Sequence, residues 1–143
     1  MLTIKRQLSL WLIMTVAALF ATQANAQDEE EGGESQPSAV YVPLRPSFVV
    51  NYGGAGRMRY IKADITVRAK DTPTADQIRY HMPYIRNNIV LLLSKQTDEA
   101  IDTQEGKEIL RQAALQEVHL VLEAEEEESG ATDLYFDNFI VQH

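Results

Sequence analysis

Between Tyr60 and Ala69 apolar and polar side chains alternate one for one. Ile61, Ala63, Ile65, Val67 and Ala69 fall on one side, and Tyr60, Lys62, Asp64, Thr66 and Arg68 on the other. A repeat of two predicts a strand with one face on a core and the other toward water or a partner. Phe48 to Tyr52 reads as a shorter strand before it, rich in β-branched and aromatic residues. Ahead of that, Pro43 and Pro46 hold Val42 to Ser47 extended but remove two ladder donors, which predicts an edge or a lead-in beginning near Tyr41. Gly53-Gly54-Ala55-Gly56 separates the two strands. A phosphate-binding glycine loop must run from a strand into a helix N-terminus. Here a second strand follows, so the glycines predict a hairpin connection.

The spacing then changes from two to about 3.6. Ile78, Met82, Ile85, Ile89 and Leu92 share one helical face, which predicts a helix from about Ala75 to Lys95 with Thr74 as N-cap of a Thr-x-x-Gln box. Pro83 must kink or restart it. Leu91-Leu92-Leu93 widens the stripe and predicts burial on more than one side of the C-terminal half. Thr97 to Thr103 reads as a single turn and a new cap. A second helix runs from about Gln104 to Glu123 on Leu110, Ala114, Val118, Val121 and Leu122. Its end gathers negative charge where the helix dipole is already negative, so it should fray into an exposed loop through Gly130. Leu134 to Gln142 is the closing strand. The fold class is therefore α+β: a small antiparallel or mixed sheet with two helices on one face, in the order β-β-α-α-β.

The N-terminus follows a different logic. Lys5 and Arg6 precede an apolar run of 13 residues, Leu8 to Phe20, and Ala24-Asn25-Ala26 forms a small-x-small cleavage site before Gln27. The run is shorter than the roughly 20 residues that a spanning helix needs. Residues 1–26 are read as a signal peptide, with a short membrane anchor as the alternative. In both cases the rest of the chain is translocated, since the positive charges lie on the N-terminal side. Residues 27–39 are acidic, Gly/Ser-rich and without large apolar groups, which predicts a flexible linker. The folded domain is then 40–143. With no cysteine, its stability must come from burial of apolar surface.

The formal net charge of −8 becomes −10 once Lys5 and Arg6 are removed. Five acids lie between Asp28 and Glu34 and seven between Glu123 and Asp137, whereas Val40 to Leu122 carries 11 basic and 9 acidic side chains. The body is close to neutral, and no basic stripe remains to neutralise phosphates, so nucleic-acid binding is excluded as a function class. Catalysis finds no support either. His81, His119 and His143 are far apart and outside any metal spacing, and the first two read as solvated helical histidines. Asp98, Asp102, Glu105 and Glu108 cluster near one turn. They lack the alternating acidic loop with a central glycine that calcium hands use, and acids at a helix start are expected from the dipole alone. No catalytic, cofactor-binding or metal-ligating residue is assigned. The candidate interaction face is Lys62, Asp64, Thr66 and Arg68, a mixed-sign surface that suits protein partners.

Several segments, in order, resemble the FliL family of flagellar basal-body-associated proteins. They are Tyr41-Val42-Pro43-Leu44 with Phe48-Val49-Val50-Asn51; Arg59 to Ile65; His81 to Asn87 with Leu91 to Ser94; Gln96-Thr97 with Thr103 to Lys107; and Leu134 to Gln142. The resemblance implies a periplasmic domain similar to stomatin-type folds, without an active site or cofactor. Its implied partners are the flagellar motor's stator units and basal-body proteins, together with further copies of itself, at the inner membrane. The N-terminus departs from the family pattern of a basic cytoplasmic tail and a full single-pass anchor. A cleaved signal would make this chain a soluble paralogue acting beside an anchored member. The rival reading is a free periplasmic protein-binding module unrelated to motility.

Overall fold

The computed structural model describes residues 38–56, 58–125 and 128–143. The cleavage residues Ala24, Ala26 and Gln27, and the linker up to residue 37, lie outside them. The fold is α+β, with strands β1 (Val40–Pro43), β2 (Phe48–Tyr52) and β3 (Arg59–Ala69). Helices α1 (Thr72–Tyr80), α2 (Met82–Ser94), α3 (Asp98–Ile101) and α4 (Gln104–Glu125) follow, and β4 (Ala131–Gln142) closes the chain. The order is thus three strands, four helices and a strand, not the five elements expected. The lead-in is itself a strand and the first helical segment divides at His81, while the single turn expected at Thr97 to Thr103 is α3 and the second long helix runs unbroken as expected.

β3 is the centre of an antiparallel sheet. β4 pairs along one side of it from Tyr60↔Gln142 to Ala69↔Ala131. β1 and β2 share the other side, with Val40↔Ala69 to Pro43↔Thr66 followed by Phe48↔Ala63 to Tyr52↔Arg59. The interruption at residues 44–47 falls where Pro46 has no donor to offer the ladder. The glycines form the β2–β3 hairpin as expected, with Gly53, Gly54 and Gly56 at φ of 83°, 73° and 140°, a region that side chains resist.

The alternation of β3 holds at every position: Ile61, Ala63, Ile65, Val67 and Ala69 are buried in one core with Phe48, Val50, Ile78, Ile85, Ile89, Leu110, Val118 and Leu134. α1 packs on β1 and β3, α2 on β2, and α4 on β4, all against this buried face.

The helices begin and end where backbone chemistry requires. Asp71, not Thr74, caps α1: its backbone is extended and its carboxylate accepts the Thr74 amide at 2.8 Å. Thr74 therefore lies inside the first turn and is buried, and the Thr-x-x-Gln pattern is incidental. Pro73 occupies the first turn, where a missing N–H costs nothing. Pro83 restarts the helix instead of kinking it. The His81 amide ends α1 on Gln77 O at 2.9 Å, and its carbonyl starts α2 by accepting from Tyr84 and Ile85. His81 at this junction is 5% exposed, edge-on to the Tyr80 ring at 4.9 Å, and is not the solvated histidine expected.

Two further expectations fail. Leu93 is buried and Leu92 partly so, with α2 packed on both β2 and α4, but Leu91 is 50% exposed, so the three leucines are not all covered. The loop before β4 is not wholly exposed either, because Ser129 is buried and its hydroxyl lies 2.6 Å from His119 Nδ1.

Candidate interaction face

The central place of β3 sets the character of the candidate face. Lys62, Asp64, Thr66 and Arg68 point away from the helices, on the side of the sheet that no described element covers. Lys62, Thr66 and Arg68 are flanked by strands on both sides and Asp64 by β4 and the 44–47 interruption, and those neighbours decide which of the four is available to a partner.

Asp64 and Thr66 are already engaged. The Ser47 hydroxyl donates to Asp64 Oδ1, and this bond above all holds the Asp64 carboxyl below the usual carboxylate range. The Thr66 hydroxyl donates to Asp137 Oδ2 at 2.6 Å. Arg68 is half-buried, with its Nε enclosed and without a hydrogen-bond partner; Tyr41 stands opposite it on β1 and Asp133 on β4. The Tyr41 ring lies 6.1 Å from that of Tyr135.

Lys62 alone is exposed. Opposite it stand Val49 on β2, 66% exposed, and Ile140 on β4, 44% exposed, with Tyr60 one pleat away. A cation set among exposed apolar groups is the composition of a protein-contact surface, since single apolar residues are common on surfaces but contiguous ones are not. The alternation of β3 revealed the lysine but not Val49 or Ile140. Their only signal was the same alternation within β2 and the closing strand.

The acidic residues 98–108 are dispersed by the fold. Asp98 Oδ1 accepts from the Tyr52 hydroxyl at 2.7 Å and its other oxygen from Arg59, while Arg59 Nη2 donates to Gly53 O at 3.1 Å. Burial, and then Asp98, pushes the Tyr52 hydroxyl up to about 12. This clamp fixes the base of the hairpin to α3. His143 lies beside it, 3.3 Å from Asp98 and 3.6 Å from Asp102. No group of three or more ligating side chains among the described residues could hold a metal ion. The His119–Ser129 pair has the composition of a hydrolytic dyad. Burial of Ser129 leaves no room for a substrate, and the pair closes the loop before β4.

Glu108 belongs to a second clamp. Arg111 donates to both of its oxygens, at 2.8 and 2.6 Å, and reaches across to Asp133 and to Leu134 O at 3.0 Å, tying α4 to β4. The Arg111 bonds, then that from Gln112, lower the Glu108 carboxyl to about 2. A folded value below the unfolded one means that this stabilisation is complete above about 4.5 and lost as the pH falls toward about 2. The urea midpoints of the parent and of an Arg111→Met variant should therefore differ at pH 7 and converge at pH 2.5. A gap of the same size at both values would show that Arg111 contributes by packing alone.

The chain is similar to known proteins over most of its length. A family model described as flagellar basal body-associated protein FliL matches residues 41–142. The flagellar protein FliL of Escherichia coli (strain K12) is 30% identical over 149 residues, covering 96% of this chain and 95% of that protein. That of Shigella flexneri matches with the same figures. The flagellar protein FliL of Aquifex aeolicus (strain VF5) is 28% identical over 99 residues, covering 69% of this chain and 59% of its own. No described helix is long and apolar enough to cross a membrane.

Proposed function

The chain belongs to the FliL family of flagellar basal-body-associated proteins, and from that premise we propose that it is a non-catalytic periplasmic component of the motor. It supports the stator units by contact and acts in several copies at the inner membrane. The observation that carries this reading is the uncovered sheet face, where Lys62 stands among Val49, Tyr60 and Ile140. Asp98, Glu108 and Asp133 are held in internal clamps, and contact is the means of action that fits such a domain. The resemblance to stomatin-type domains is part of the same proposal, as is the cleavage or retention of residues 1–26.

Deletion of the gene should leave filaments assembled and impair motility, most visibly under load on semi-solid medium. Lys62→Glu and Val49→Asp should reproduce part of that defect while the protein accumulates and melts normally. They are cleaner probes than Arg68, whose enclosed Nε couples any charge reversal to folding. Normal swimming and swarming in a clean deletion strain, with no second family member present, would overturn the motor reading. It would favour a periplasmic protein-binding module unrelated to motility.

A further inference from the structure

We propose that the outer edge of β4 is a docking site for an extended peptide segment bearing a carboxylate, which adds there as a further strand. This goes beyond the motor reading and stands apart from it, because it concerns what the edge accepts, whichever process uses it.

The register shows which backbone groups are free. Leu44 N donates to Ile65 O at 2.8 Å, so Ile65 directs its backbone groups toward the β1–β2 side. By the alternation of an antiparallel ladder, Ala63 and Ile61 do the same. Phe139 and Val141, which face them on β4, must then direct their N–H and C=O groups outward, away from β3. No described residue takes those groups.

Parts of the sheet margins are closed. The Leu134 amide donates to Asp133 Oδ1 at 2.8 Å and its carbonyl accepts from Arg111. On the opposite margin Pro43 and Pro46 have no donor, and Arg86 Nη1 takes the carbonyls of Leu44 and Pro46 at 2.6 Å each. Closing edges in this way prevents unwanted pairing. From Asn138 to Gln142 the β4 edge is left open.

Beside that edge runs a cleft of about 310 Å³ between β4 and α4, with Phe136, Phe139 and Lys107 on its walls. A strand edge next to a helix is the geometry by which extended peptides are captured, with backbone bonds giving affinity and alternate side chains entering the groove. An added strand would send every second side chain into this cleft.

Charge selects the occupant. Lys107 Nζ stands 5.9 Å from the Phe139 ring centroid, and no carboxylate among the described residues pairs with it. Arg111, one turn further along, is already held by Glu108 and Asp133. A carboxylate arriving in the cleft would therefore meet a cation that no described carboxylate holds.

Panning a random octapeptide display library on the purified protein tests the proposal. Enriched peptides would be synthesised and their affinities read by fluorescence polarisation. They should combine β-branched residues with one Asp or Glu, and should protect the Phe139 and Val141 amides from hydrogen exchange. Val141→Pro, which removes an outward N–H and leaves the β3 ladder intact, should abolish binding. Lys107→Glu, a surface change that keeps the test valid if the proline variant unfolds, should weaken it about fivefold or more. Absence of enrichment would overturn the proposal, as would peptides without an acid or indifferent to Lys107→Glu. A dimer of the free protein broken by Val141→Pro would overturn it too, giving the edge to a second copy.

Discussion

Gly106→Ala is expected to destabilise the domain by about 3 kcal/mol, although alanine is the better helix former. Gly106 lies in the first turn of α4, where a Cβ would stand 1.8 Å from the carbonyl oxygen of Ala100 and 2.9 Å from Thr103 Oγ1. The obstacle is backbone, which cannot swing aside as a long side chain does. It is also held in place. Thr97 caps α3 by accepting the Ala100 amide, Asp98 is clamped by Tyr52 and Arg59, and Ile101 is fully buried. Replacing glycine by alanine in a helix gains about 1 kcal/mol from propensity. Separating two packed backbones costs more, so the clash decides the sign. Thermal melts should show a fall of roughly 10–20 °C. Gly54→Ala is the comparison: its surroundings are open, and only the φ of +73° resists, at a cost of about 1–2 kcal/mol. Equal melting of the G106A variant and the parent would mean that α3 and α4 do not meet at this point.

Ile85→Asp is expected to be more damaging, by about 4–5 kcal/mol, enough to leave the domain unfolded at ordinary temperature. Ile85 is fully buried on the face of α2 that packs against β2. A carboxylate there has no water, and no described cation is placed to pair with it. It must either remain charged in an apolar surrounding or take up a proton at a cost in pKa. Ile85→Val removes one methylene and should cost only about 1 kcal/mol. Lys62→Ala, on the opposite side of the domain, should change stability by about 0.5 kcal/mol or less. Urea titrations of the three variants give the ranking, and similar midpoints for Ile85→Asp and Lys62→Ala would refute the assignment of faces.

Periodicity determined much of this protein. The two-residue repeat of β3 fixed which side chains enter the core, the 3.6-residue stripe fixed those of α4, and the glycine hairpin followed from the absence of a helix after it; in α2 the stripe found Ile85 and Ile89, whereas Leu93 and not Leu92 is the fully buried residue at its end. Such signals are local: they depend on each residue's neighbours along the chain, and the chain carries them before it folds. The remainder was decided by residues distant in sequence. β1 became a strand because β3 extends far enough to pair with both β1 and β2. His81 was buried because the break at Pro83 turns it inward, and the carboxylates of Asp98 and Glu108 were drawn to Arg59 and Arg111 on different elements. Of the candidate face, the sequence determined the side on which Lys62, Asp64, Thr66 and Arg68 lie. Only the tertiary structure left Lys62 free among Val49 and Ile140, because availability depends on the strands that flank a residue, and pairing between strands is set by packing across the sheet.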